Sequence, residues 1–112
     1  MTAGFVWFHN GSDKPAESAA FYRELLGWSA SDGPGDMTML GAGGQPFAGI
    51  SSRAKATGGW VPYAQVDELD AATKRAVKLG AEVVQPRTKG PAGDFTIVRD
   101  PGGATVALWQ KA

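Results

Sequence analysis

The chain repeats one order of segments, a strand, a helix and three short strands, and this internal duplication most limits the folds open to it. In the first half, an aromatic and β-branched strand over residues 4–9 precedes a helix that ends at about Leu26, before Gly27. In the second half, a strand over residues 60–66 precedes a helix that stops at Gly80. Asp13 and Asp67 are the predicted N-terminal caps of the two helices.

The repetition extends to individual residues. Gly43-Gly44-Gln45-Pro46-Phe47-Ala48 mirrors Gly102-Gly103-Ala104-Thr105-Val106-Ala107, with two glycines before a strand and an alanine at the same place in it. We therefore predict an α+β fold of two βαβββ modules: module one over residues 1–50, a linker over 51–59, and module two over 60–112. Neither half buries its sheet easily alone, so the two sheets are expected to share a core and leave a cleft.

Composition excludes several classes of function. Eleven basic residues balance eleven acidic ones, which argues against a nucleic acid or a membrane surface as partner. The chain has no cysteine, so disulfides, thiol catalysis and cysteine metal sites are excluded. No signal peptide and no apolar run of the roughly 20 residues that span a membrane is visible, and a cytoplasmic location is expected.

Three segments resemble the glyoxalase/bleomycin-resistance/dioxygenase (vicinal oxygen chelate) superfamily. They are the helix Pro15–Trp28 with its Phe-Tyr and Leu-Gly-Trp signature, the Val66-Asp67 pair that opens the second helix, and the turn Asp100-Pro101-Gly102-Gly103. The resemblance covers nearly the whole chain. It implies a curled mixed sheet around a cleft, a homodimer, and in many members a divalent metal that holds a substrate's vicinal oxygens. A minority of members bind a drug without metal.

This sequence departs from the metal-binding members at the positions that hold the ligands. The family's second-module histidine corresponds to Val61, and the glutamate of the last strand corresponds to Ala107 or Leu108, with Ala48 as its first-module mate. The first-strand ligand should fall among residues 6–8, all of them apolar. We therefore predict that the protein has no metal and no cofactor.

His9 is the only histidine. It could be a metal ligand or a general base, or a strand-end histidine that lies near solvent or bonds to a neighbour. Strand side chains alternate between faces, so if Phe8 faces the cleft, His9 does not. The second interpretation is therefore favoured.

The expected ligand site is an aromatic and apolar cleft. Strand alternation from the family positions predicts a lining of Phe8, Ala48, Val61, Tyr63, Gln65, Ala107 and Trp109. Trp60 is a further candidate for this lining. Within it, Trp60, Tyr63 and Trp109 are predicted to form an aromatic wall, and Gln65 is a candidate hydrogen-bonding group. Trp7 and Trp28 are predicted to pack in the core under the first helix.

Two basic features are open to more than one interpretation. The segment Arg87–Gly93 is predicted to be a long loop that covers the cleft or is simply solvated. Arg99 could pair with an anionic ligand, although an ion pair with Asp100 or solvation is favoured.

Three functions compete at this stage. The first is metal-independent binding of a small, partly aromatic organic molecule. The second is a lyase, isomerase or dioxygenase-like enzyme, a class that normally needs a metal or a positioned acid–base pair, and the sequence offers neither clearly. The third is an interaction module whose cleft is filled by its own side chains.

Overall fold

The computed structural model describes residues 4–52 and 59–112, which carry the eight predicted strands and both predicted helices. In chain order the elements are β1 (Phe5–Gly11), α1 (Pro15–Leu26), β2 (Ser29–Asp32), β3 (Thr38–Gly41), β4 (Pro46–Ser51), β5 (Gly59–Gln65), α2 (Leu69–Lys78), β6 (Glu82–Lys89), β7 (Gly93–Arg99) and β8 (Thr105–Lys111). The fold is α+β with mixed sheets, which confirms the predicted class. Most of the predicted linker, residues 53–58, lies outside the described residues.

The chain divides into two compact units, one over Trp7–Trp60 and one over Val61–Ala112 together with the first residues through Val6. We call them module one and module two. The strand order is β2-β3-β4-β1 in module one and β6-β7-β8-β5 in module two. In each module the first and last strands pair in parallel and the other neighbours are antiparallel. The two halves thus repeat one topology, as the duplicated sequence predicts.

The core of module one lies between α1 and one face of its sheet. Ala19 of α1 packs with Leu40, Ala48 and Ile50, and the last three have no exposed surface. Burying a side chain such as Leu40 or Ile50 contributes about 1.5–3 kcal/mol each. The other face of β4 points away from α1, because successive side chains of a strand alternate.

Both helices end as predicted but begin differently. Gly27 closes α1 in the left-handed conformation with φ 71°, and its N–H bonds to the Arg23 carbonyl. The N-terminal cap position of α1 is Lys14, not Asp13, and Pro15 takes the first turn. Pro15 suits this place because the N–H of the first helical residue has no partner within the helix.

A side chain of strand β8 forms a hydrogen bond with the first residue of α2. Its cap position is Glu68, without a side-chain cap bond, and the predicted cap Asp67 lies one residue earlier. The side-chain Oε1 of Gln110 accepts the N–H of Leu69 at 2.7 Å. The side chain of Gln110 therefore points to the face of β8 on which α2 lies. Its hydrogen bond holds the start of α2 on that face.

The segment predicted as a loop over Arg87–Gly93 is mostly strand. β6 runs on to Lys89 and β7 begins at Gly93, so only a tight turn separates them. Arg87 forms ion pairs with Asp94 at 2.8 Å and with Asp70 of α2 at 3.1 Å. The two aspartates balance the charge of Arg87, so this residue is accounted for without an anionic ligand. Arg99 pairs with Glu82 across the same two strands and not with Asp100.

No helix among the described residues is long and apolar enough to cross a membrane.

Candidate functional site

One face of the module-two sheet brings several predicted site residues together. Strand pairing aligns Tyr63 with Ala107 and Gln65 with Trp109, while Phe95 of β7 aligns with Trp109 from the other side. Gln110, next to Trp109, points to α2, so these side chains lie on the opposite face. We call the residues Tyr63, Gln65, Phe95 and Trp109 the α2-distal face.

The four residues of the α2-distal face are half-buried, and the two small or aliphatic positions beside them are closed. Val61 is 2 % exposed and Ala107 has no exposed surface. Val61 and Ala107 thus offer no surface to a ligand, whereas Tyr63, Gln65, Phe95 and Trp109 are each partly exposed. Phe95 is a member that the sequence did not single out. Side chains alternate along β7, so a sequence argument from Thr96 and Ile97 could have assigned Phe95 to this face.

Tyr63 combines an aromatic ring with a hydroxyl that stays protonated. Its ring centroid lies 5.6 Å from that of Phe95, with the planes tilted at 45°. Burial disfavours the phenolate and raises the pKa of Tyr63 to about 12. At neutral pH the hydroxyl is therefore a neutral hydrogen-bonding group.

Trp109 owes its position to a glycine on the neighbouring strand. A Cβ atom on Gly93 would lie 2.8 Å from Trp109 Nε1 and would also collide with the Gln110 carbonyl. The indole therefore lies across the backbone of β7 at a point where only glycine leaves room. The carbonyl of Trp109 accepts the N–H of Val66 at 2.8 Å, which ties β8 to the end of β5.

In module one, Phe8 and Ala48 lie on the face that packs against α1. Ala48 is fully buried in the core with Ala19, and Phe8 is its paired residue on β1. Ala48 therefore has no surface for a ligand, in contrast to the lining predicted from the sequence. Phe8 is 36 % exposed but shares that face by alternation.

A β-bulge explains this difference between the two halves. In module one Leu40 pairs with Ala48 and Gly41 with Pro46, so Phe47 is an extra residue on β4. In module two the pairing of β7 with β8 runs without interruption from Gly93 to Arg99. One inserted residue reverses which face the following side chains take. The residue of module one that matches Ala107 is therefore Gly49, and not Ala48.

Trp60 packs beside α1, which corrects its predicted place in the aromatic wall. Its indole N–H donates to the Tyr22 hydroxyl at 2.9 Å, and the two rings meet edge to face with centroids 5.4 Å apart. Tyr22 in turn stacks on Trp28 at 5.5 Å. Trp60 thus belongs to the aromatic packing around α1. Trp28 lies there too, as predicted.

Trp7 takes the opposite place to the one predicted. It shares its face of β1 with His9, and a Cβ atom on Gly49 would lie 3.1 Å from Trp7 Cζ2 and 2.8 Å from Met37 Sδ. Because Gly49 follows Ala48, this face points away from α1. We call Trp7, His9, Gly49 and Ser51 the α1-distal face.

His9 and Ser51 form a buried polar pair on the α1-distal face. His9 Nε2 lies 2.8 Å from Ser51 Oγ, and the two residues are 8 % and 0 % exposed. The sequence favoured a histidine near solvent or bonded to a neighbour, and the buried bond to Ser51, 42 residues away, agrees with the second of these and not with the first. The pairing of His9 with Gly49 matches that of Tyr63 with Ala107, so each module carries one polar ring at the same place.

The donor groups of these faces do not fit the divalent metal that the resemblance implies. With the bulge included, the family's ligand positions correspond to Trp7, Gly49, Val61 and Ala107, and none of these side chains coordinates a metal. The phenol of Tyr63 is held protonated, which makes it a poor ligand. Within residues 4–52 and 59–112, no three His, Asp or Glu side chains are placed so that they could hold a metal ion together.

A shallow depression of about 470 Å³ lies at the beginning of α1. Its lining is Ser12, Asp13, Lys14, Glu17, Ser18, Phe21 and Tyr22. Lys14 and Glu17 form an exposed ion pair across it at 3.8 Å. The depression lies against the helix and not on either distal face, so it does not coincide with the predicted site.

Comparison with known proteins supports the same family. A family model described as a glyoxalase-like domain matches residues 7–109. The anthracycline biosynthesis protein DnrV of Streptomyces peucetius is 32 % identical over 95 % of this chain and 46 % of its own length. A Mycobacterium tuberculosis protein named "Putative glyoxylase CFP32" is 36 % identical over 84 % of this chain and 41 % of its own. The chain thus spans less than half of either relative.

Solved structures support the fold. A glyoxalase/bleomycin resistance protein/dioxygenase superfamily member from Vibrio splendidus superposes with a TM-score of 0.67 at 13 % identity, and the match covers 100 % of both chains.

Proposed function

Because the chain belongs to the glyoxalase-like domain family, we propose that it binds a small, partly planar organic molecule on the α2-distal face without a metal ion. The observation that carries the proposal is the alignment of Tyr63, Phe95 and Trp109 on one face of three adjacent strands. Ligand sites in proteins are mostly aromatic and apolar, with a few polar groups that set orientation.

The energetics of such a site rest on burial. One aromatic face covered by a ligand contributes on the order of 1–3 kcal/mol. Gln65 offers both a donor and an acceptor, and the neutral Tyr63 hydroxyl offers a hydrogen bond to a ligand oxygen. The fixed position of Trp109 over Gly93 lowers the entropy lost on binding, since the indole needs no reordering.

The name of one relative agrees with this ligand chemistry. DnrV is named as an anthracycline biosynthesis protein, and anthracyclines are polycyclic aromatic compounds. A planar polycyclic compound has the shape that a row of aromatic side chains accommodates. The proposal therefore commits to planar aromatic ligands as the class to be tested first.

The homodimer expected from the sequence is part of the proposal. Among the described strand pairs, β2 pairs only with β3 and β6 only with β7. Each therefore leaves one edge for association.

The test uses anthraquinone-2-sulfonate and a soluble anthracycline as probes, in buffer that contains EDTA. Binding should raise the melting temperature and be measurable by calorimetry. Trp109→Ala should weaken binding tenfold or more, since about 1.4 kcal/mol is one decade of affinity. Trp60→Phe is the matched control, because it keeps an aromatic ring in the packing around α1 and leaves the α2-distal face intact.

Absence of any thermal shift with both probes would contradict the proposal. So would a loss of affinity in Trp60→Phe equal to that in Trp109→Ala. Either result favours the interaction module whose face is filled by its own side chains.

A further inference from the structure

The indole N–H of Trp109 is a hydrogen-bond donor that the fold of module two leaves unused. By contrast, the indole N–H of Trp60 donates to the Tyr22 hydroxyl at 2.9 Å. Within residues 4–52 and 59–112, no hydrogen bond uses the Trp109 donor, and this nitrogen is not among the buried atoms. Since the indole is held in place over Gly93, its N–H is open to an acceptor from a ligand.

Lys111 brings a positive charge to the same part of the α2-distal face. It follows Trp109 by two residues on β8, so both side chains point to that face. Its strand partner is Gly93, the residue over which the Trp109 indole lies. The N–H of Ala112 donates to the Ala92 carbonyl at 3.1 Å, so the backbone is bonded on beyond Lys111. The exposed ammonium and the indole N–H can therefore bind one acceptor above Gly93, which has no side chain to block it.

The other charged side chains near this face are already paired. Arg99 bonds to Glu82 at the opposite end of the β7–β8 ladder from Lys111. Arg87 and Asp94 pair with each other on the side of the sheet where α2 lies. Lys111 forms no ion pair with a carboxylate side chain in the part of the chain that the structure describes. An anion on this face would therefore meet a positive charge that no described side chain neutralises.

We propose that the ligand of the α2-distal face is an aromatic acid, whose carboxylate or sulfonate accepts hydrogen bonds from the Lys111 ammonium and the Trp109 indole N–H. This inference rests on the proposed function and adds an acidic group to the planar ring system named there. The ring system lies against Phe95 and the indole, and the acidic group lies above Gly93. Hydrogen bonds to an ionised acceptor are stronger than those between neutral groups, so this group also sets the orientation of the ligand.

Two probes that differ in one charge test the inference. Anthraquinone-2-carboxylate and anthraquinone-2-carboxamide share a ring system and are nearly equal in size, and only the former is an anion at neutral pH. In EDTA, we expect calorimetry to show that the native protein binds the carboxylate about fivefold more tightly. Added sodium chloride should reduce this ratio of Kd values, because salt screens the exposed ammonium, and should leave the Kd of the carboxamide nearly unchanged.

Four variants assign the effect to named groups. Lys111→Met keeps an unbranched side chain without the charge, so the ratio of Kd values should fall to about one, whereas Lys111→Arg should keep most of it. Trp109→Phe keeps a ring without the N–H, and its ratio should fall part of the way. Lys89→Met is the matched control, because Lys89 is aligned with Asp94 on the side of the sheet where α2 lies. It removes the same charge and should leave the ratio unchanged.

The outcomes separate this inference from the proposed function. A ratio near one in the native protein, or a ratio unchanged in Lys111→Met, would overturn the inference while the proposed function stands, because both probes still bind. An equal fall in Lys89→Met would also overturn it, since net charge alone would then explain the effect. Failure of both probes and of anthraquinone-2-sulfonate to bind the native protein would overturn the proposed function, and this inference with it.

Discussion

Trp60 donates its indole N–H to the hydroxyl of Tyr22 at 2.9 Å, a bond that joins the start of β5 to α1 within module one. The bond decides which way the indole of Trp60 points. Its ring is committed to packing with Tyr22, which itself stacks on Trp28. A site at the α2-distal face therefore depends on Trp109 for its indole.

Removing the Tyr22 hydroxyl tests this relationship. Tyr22→Phe should lower the free energy of unfolding by about 1–2 kcal/mol, because the partly buried indole N–H loses its acceptor. Urea denaturation followed by circular dichroism measures the change. A double-mutant cycle with Trp60→Phe should give a coupling of similar size, and a coupling near zero would contradict the bond.

The Tyr63 phenol predicts a pH dependence of stability. Its pKa is about 12 in the folded chain against 10.0 for an ordinary tyrosine, so the folded state holds the proton more tightly. The contribution is fully present below about pH 10 and is lost as the pH rises towards 12. The slope attributable to this group is on the order of 1 kcal/mol per pH unit over that window.

Difference titration isolates the Tyr63 effect. Absorbance at 295 nm of the native protein minus that of Tyr63→Phe should show one phenol ionising near pH 12 while the chain is folded. The unfolding free energy of Tyr63→Phe should fall less steeply above pH 10 than that of the native protein. A difference titration centred near pH 10 would show that burial does not protect this hydroxyl.

Gly49 predicts a local steric limit in module one. In Gly49→Ala, the added methyl would lie 2.8 Å from Met37 Sδ, so Met37 must move and we expect a loss of about 1–2 kcal/mol. Gly44→Ala is the control, because nothing lies within 4 Å of a Cβ atom there. The penalty of Gly49→Ala should be smaller when Met37→Ala is already present, as measured by urea denaturation of the native protein, the two single variants and the double variant.

Oligomeric state is tested separately. Light scattering coupled to size exclusion should give about twice the 11.7 kDa chain mass at micromolar concentration. A mass near that of one chain would contradict the proposed homodimer.

The sequence predicted the order of elements well because the signals are local. Gly27 stops α1 in a left-handed conformation, and β-branched and aromatic runs mark the strands. The predictions that were wrong concern contacts between residues that are far apart in the chain. The bulge at Phe47 depends on how β4 pairs with β3, which the chain does not reveal locally, and it shifts Ala48 to the α1 face.

The same limit applies to the site. Alternation predicts one shared face for Tyr63, Gln65 and Trp109, and the uninterrupted register of β5 and β8 agrees with that shared face. Trp60 was misplaced because its neighbour is Tyr22, 38 residues away, and not a residue of the same strand. Ser51 was missed for the same reason, as the partner of His9 lies on another strand.

The central claim is that the α2-distal face binds the ligand, and the four indole N–H signals of the protein test it most directly. In a ¹⁵N–¹H correlation spectrum, anthraquinone-2-sulfonate should be titrated in the presence of EDTA, with signals assigned from single Trp→Phe variants. We predict that the Trp109 signal shifts progressively and saturates, while those of Trp28 and Trp60 move by less than their line widths. A saturable shift of Trp28 or Trp60 with an unmoved Trp109 signal would contradict the claim.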